Sequence, residues 1–122
     1  CLMAYTSPNA GAFLPTGNTI TFLANTAAPT AVQCTYTQSP NTGYNSYCQY
    51  RVFNSGSVLI FLGVGANATV ANTNANVVTT SATGIPVLPG TLEIFSFPTN
   101  SYFTAITASG TSQIYVTPGF GV

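Results

Sequence analysis

The sequence predicts an all-β fold, a single antiparallel β-sandwich of jelly-roll-like form, on three observations. Short runs rich in β-branched and aromatic residues recur along the chain, and turn residues part them every 8–12 positions or so. No stretch of useful length shows helical periodicity, and the density of Thr, Val, Pro and Gly works against a helix. The 122 residues suit one domain, large enough to build a core without metals or a dense disulfide frame.

Residues 1–17 carry Pro8, Gly11, Pro15 and Gly17 and are expected to form an extended N-terminal arm, with the sandwich occupying 18–122. Such arms stay mobile unless something ties them down. Asn18–Ala24 alternates as a strand, with Ile20, Phe22 and Ala24 on one side and Thr19, Thr21 and Leu23 on the other. Thr30–Thr37 follows, a half-buried strand with Val32, Cys34 and Tyr36 on its inner face. A polar, turn-rich insert, Gln38–Ser46, carries Tyr44. Tyr47–Asn54 is the next strand. The turn Asn54-Ser55-Gly56-Ser57 predicts a hairpin with Val58–Val64, which is apolar throughout, as a central buried strand should be.

Gly65–Thr83 has Ala, Asn, Thr and Val and no large side chain, and reads as a long loop with a weak edge strand at Asn76–Thr80. The last third holds three evenly spaced runs, Thr91–Phe97, Ser101–Thr107 and Ser112–Thr117. Pro98-Thr99-Asn100 and Ala108-Ser109-Gly110 separate them, which predicts a three-stranded β-meander. In its middle strand Tyr102, Thr104 and Ile106 oppose Phe103, Ala105 and Thr107. Both faces are mostly apolar, so that strand should be covered on both sides.

Charge narrows the function more than any motif. Only 2% of the residues are charged, one Lys or Arg and one Asp or Glu, and there is no His; about 25% is usual. Arg51 and Glu93 are those two residues, each in a predicted strand, and a single ion pair between them is a candidate. Nucleic-acid binding is disfavoured, because phosphates are neutralised by Lys and Arg. Paired-carboxylate catalysis needs two acids, and a Ser or Cys nucleophile needs a base. Zinc and calcium sites need ligand clusters that three scattered Cys and one Glu do not supply. The expectation is a chain with no catalytic residues, no cofactor and no metal. Val58–Ala66, the longest apolar run, is far short of the roughly 20 residues that span a bilayer, so no membrane partner is expected.

The three cysteines leave at least one unpaired. Cys34 and Cys48 flank the polar insert and are a candidate disulfide, the alternative being two half-buried thiols in a reducing compartment. A start at Cys1 admits a lipid-anchored end, a residue left by cloning, or an upstream start before Met3. The run MAYTSPNAG favours the last two, and no secretory leader is recognisable.

Net charge normally keeps a monomer from associating, and Lys normally guards edge strands. This chain has neither safeguard, which admits an export-adapted, Thr- and Asn-rich secreted domain and favours a subunit of an assembly. Tyr44 and Tyr47 are candidate contact residues because tyrosine offers a rigid area with a polar tip. Phe13 and Leu14, on the arm, are two more.

From Tyr50 to Val122 the pattern resembles small virion proteins of tailed bacteriophages. It comprises RVFNSGSVLIFLGVG, an Ala/Thr/Asn spacer, GIPVLPGTLEIFSF and a closing YFTAITASGTSQIYVTPGFG. Asn54, Gly56, Gly63, Gly65, Pro86, Pro89, Gly90, Glu93, Tyr115 and Gly119 are among the residues that carry it. The resemblance implies a capsid decoration (cement) protein of jelly-roll or related sandwich fold, located on the capsid surface after assembly in the host cytoplasm. It would act as a dimer or trimer that clamps neighbouring major capsid subunits. The near-absence of charge departs from that expectation. A rival reading is a fibre or head-surface module that binds host glycans through Tyr44, Tyr47 and the Asn-rich loop.

Overall fold

The computed structural model describes residues 13–36 and 47–120. Two antiparallel sheets pack face to face as a β-sandwich. The larger contains β1 (Leu14–Pro15), β2 (Ile20–Ala24), β4 (Tyr47–Asn54), β7 (Leu92–Pro98) and β9 (Ser112–Phe120). In it β9 is central, with β4 and then β7 on one side and both β1 and β2 on the other. The smaller sheet runs β3 (Val32–Gln33), β8 (Tyr102–Ile106), β5 (Ile60–Gly65), β6 (Ile85–Val87).

The core follows from strict alternation along each strand. Cys48, Tyr50, Val52, Ile114 and Val116 point inward from the larger sheet and meet Ile60, Leu62, Phe103 and Ala105 from the smaller. Tyr50 is its centre, fully buried, with its ring 4.8 Å from that of Phe103 and 6.1 Å from that of Phe97. Its hydroxyl donates to the Pro98 carbonyl at 2.9 Å, so the polar tip of the largest core residue is satisfied.

Both predicted hairpin arrangements are corrected. β4 does not pair with β5, and β7, β8 and β9 do not form a meander, because consecutive strands cross to the opposite sheet. The turn residues fall where expected, and the pairing differs. Ser55 continues the ladder to β9, its amide donating to the Gln113 carbonyl at 3.0 Å, so the chain does not fold back after Asn54. The buried Asn54 amide then donates to Val58 and Val87 carbonyls at 2.9 and 3.0 Å, joining the end of one sheet to the start of the other. The Asn54 oxygen accepts from the Gly56 amide and the Ser112 hydroxyl. The β7–β8 crossing turns at Asn100, in the left-handed region at φ 63, where asparagine is one of the tolerated residues.

Gly65–Thr83 also departs from expectation. It contains a seven-residue helix, α1 (Ala68–Asn74), and no strand at 76–80. Asn67 caps α1 by accepting from the Val70 amide at 2.9 Å. The helix lies against the outer face of β5, and two glycines make that approach possible. A Cβ on Gly63 would sit 2.4 Å from the Ala71 carbonyl oxygen, and one on Gly65 2.6 Å from the Ala71 nitrogen. Helix and sheet therefore meet backbone to backbone.

The N-terminal arm is tied down at its end. Leu14 and Pro15 pair with Phe120 and Gly119, and the Thr16 amide donates to the Pro118 carbonyl at 2.9 Å.

Candidate functional site

The two sheets leave their outer faces in different states. On the smaller sheet, α1 and the segment between β2 and β3 cover the surface. The Asn72 side chain clasps that segment, donating to Pro29 O at 2.9 Å and accepting from the Ala31 amide at 3.1 Å. Thr104 on β8, fully buried, donates to the same Pro29 carbonyl at 2.7 Å. Both faces of β8 are thus covered, as its apolar alternation requires.

On the larger sheet, no described helix lies across the outer face. Register places its side chains in rows across the strands. Leu92, Phe53, Tyr115 and Thr21 form one row; Ile94, Arg51 and Thr117 form the next. Leu92, Phe53 and Tyr115 are all more than a third exposed. The Phe53 and Tyr115 rings stack at 6.4 Å with 25° between their planes. Thr19 extends the second row by sharing a 2.7 Å hydrogen bond with the Thr117 hydroxyl. Thr19, Arg51, Phe53, Leu92, Tyr115 and Thr117 enclose a shallow trough of about 290 Å³. The Phe13 ring lies against Arg51, its centroid 5.5 Å from the guanidinium carbon.

The structure separates the candidate ion pair. Arg51 stands opposite Ile94 and Glu93 opposite Val52, so the two charged side chains leave the sheet on opposite faces. Their separation follows from register: neighbours on adjacent strands share a face only when they stand opposite or an even number of residues apart.

The candidate disulfide is likewise corrected. Cys34 and Cys48 are both buried free thiols. Burial pushes the Cys34 thiol up to about 12, with a smaller coulombic contribution from Cys48, and burial also raises Cys48. A thiol held protonated in an apolar layer is a packing group and a poor nucleophile.

Among the contact candidates, Tyr47 and Leu14 are well exposed, at 58% and 59%, and Phe13 is half-buried on the Arg51 side of the sheet. Tyr44 lies outside the described residues. Sequence reading missed Phe53, Leu92 and Tyr115 as surface residues. The alternation of β4 could have shown Phe53 on the same face as Arg51, but only pairing brings Tyr115 and Leu92 beside it.

A second concavity, about 260 Å³, opens where β6 and β7 leave the sandwich unsealed, lined by Val64, Asn74, Thr83, Ile85, Phe97 and Ser101 among others. Beside it runs β7, seven residues long, at the end of its sheet; no described strand pairs with its outer edge. Among the described residues no three His, Cys, Asp or Glu side chains converge as a metal site, and no helix is long and apolar enough to cross a membrane. Comparison with protein-family models, curated protein sequences and solved structures finds no match.

Proposed function

We propose that this protein is a non-catalytic structural subunit that works as a homo-oligomer. In its most concrete form it is a decoration protein that bridges major capsid subunits on a tailed-phage capsid. One observation carries the assembly reading: a seven-residue edge strand with a single charge, Glu93, whose outer edge no described strand pairs with. Natural edge strands are blunted by Lys, by bulges, by short length or by a covering element. In β7 the only such features are Glu93 and a terminal Pro98, and six of its seven residues carry no charge. An edge of this kind favours pairing with another chain, its main-chain groups supplying hydrogen bonds and its alternate side chains supplying contact area. A stable contact needs roughly 1,000 Å² or more, and repetition over a lattice adds avidity to each weak contact. The capsid assignment is supported by the resemblance of Tyr50–Val122 to phage virion proteins.

The test is the copy number of the protein in purified particles, with light scattering of the isolated chain alongside. A fixed ratio near one per capsid subunit, together with a dimer or trimer in solution, is the expected result. A few copies per particle would move the protein to a tail or fibre. A monomer at high concentration would remove the assembly reading altogether.

A further inference from the structure

We infer that the trough on the outer face of the larger sheet is a binding site for a carboxylated sugar, with Arg51 as its anchor. The inference is independent of the capsid reading and uses residues on a different part of β4 from Tyr47.

The first support is electrostatic. Arg51 and Glu93 are the chain's only charged side chains, and the sheet itself lies between them. The guanidinium therefore has no side-chain carboxylate on its own face. Among the described residues its contact is the Phe13 ring, and a cation–π contact uses none of the five N–H donors of a guanidinium. Those donors match a carboxylate as a two-pronged pair, and such charge-assisted bonds are about twice as strong as neutral ones. The sequence has no other Lys, Arg or His, so an anion that docks on this face meets its one cationic side chain here.

The second support is shape. A solvated surface arginine needs no walls, whereas this one opens into a trough beside two stacked, partly exposed rings and Leu92. A hydroxyl pair, Thr19 and Thr117, lies along the Arg51 row. A pyranose ring is amphipathic in the corresponding way. Its C–H face lies flat on an aromatic ring, its hydroxyls exchange hydrogen bonds at the rim, and a uronic or sialic acid adds one carboxylate at the ring's edge. The volume, about 290 Å³, is at the small end for ligand pockets and accommodates a single ring with its carboxylate. An acidic peptide would supply the anion without the flat apolar face. A neutral sugar would supply the face and leave the guanidinium unpaired.

The experiment is an NMR titration of the full chain with trigalacturonate. Galactotriose serves as the neutral control, and hexaglutamate as the acidic peptide. Expected are saturable shifts confined to the trough residues, weakening as salt is raised. Galactotriose, hexaglutamate and the Arg51→Gln variant should each bind about tenfold more weakly or worse, the scale of losing a charge-assisted or stacking contact. Arg51 is exposed, so the variant should keep the wild-type spectrum elsewhere, which separates lost binding from lost fold. Phe53→Ser should weaken trigalacturonate as well. No saturable binding of trigalacturonate would overturn the inference. So would equal binding by Arg51→Gln, by galactotriose or by hexaglutamate.

Discussion

On the smaller sheet the outer face of β5 presents Gly63 and Gly65; on the larger sheet the same face of β4 presents Arg51 and Phe53. Both strands are near the middle of their sheets and both back onto the same core. The glycines let a helix settle onto β5 at backbone distance and close that face with hydrogen bonds from Asn72 and Thr104. On β4 the matching positions carry bulky side chains, no described helix lies over them, and rings, a cation and hydroxyls face outward. Side-chain volume at two alternating positions thus decides which side of the sandwich is structural and which is free for contact.

Filling the glycine track breaks this contrast most directly. Gly63→Val places branched carbon where the Ala71 carbonyl and Ala75 already lie within 2.4–2.6 Å of a Cβ. The helix must lift, at a cost of about 3 kcal/mol or more. Thr117→Val on the open face should cost only about 0.5 kcal/mol. Urea unfolding midpoints of the two variants measure the difference. Equal losses would mean that α1 contributes nothing to the closed face.

Single hydrogen bonds sharpen the contrast at smaller scale. Thr104→Val removes a hydroxyl from a fully buried site and should cost about 1–2 kcal/mol, because the half-buried Pro29 carbonyl loses one of its two donors. Ser55→Ala removes a similar bond, 2.8 Å to the Gln113 carbonyl, from an exposed position. Water replaces it there, and the loss should stay under about 0.5 kcal/mol. Thermal melts of both variants suffice.

Much of the closed side was legible in the chain, and the reasons for the misses are local. Alternation in Ile20–Ala24, Tyr47–Asn54 and Tyr102–Ile106 gives the inward faces correctly. Strand pairing was not legible, because Asn54 and Tyr50 decide it through bonds to residues far away in sequence. The helix was missed because seven residues of Ala, Thr, Val and Asn carry weak propensity. Its signals were Asn67 at the cap and the Gly-Val-Gly spacing on β5, which reads as a place for close backbone approach. Arg51 is visible in the composition at once. That it faces away from Glu93 depends on register, and register depends on the whole sheet.

The layer between the two faces should respond to pH. The Cys34 thiol is raised by burial, so folding favours its neutral form. The sign follows: stability from this group is intact below the ordinary thiol range near pH 8.5–9 and falls as pH rises toward about 12. Tyr50 is shifted upward by burial too and adds to the loss at the alkaline end. Urea midpoints should therefore decline from about pH 9 upward, more steeply in wild type than in Cys34→Ala. A flat profile in wild type would mean that the thiol layer is open to water.

The smallest effect on stability should accompany the largest effect on assembly. Ser96 is exposed on β7, on the open face and outside the trough. Ser96→Lys adds a solvated charge to an edge strand that has one, and should change folding stability by no more than about 0.5 kcal/mol. The same charge is the guard that natural edges use against pairing. If β7 is the seam between copies, each copy would bring an added cation to it, and the oligomer measured by light scattering should fall to monomer. An oligomer that survives this change, with stability unaltered, would place the seam elsewhere and leave the rows around Phe53 and Tyr115 as the surface to test next.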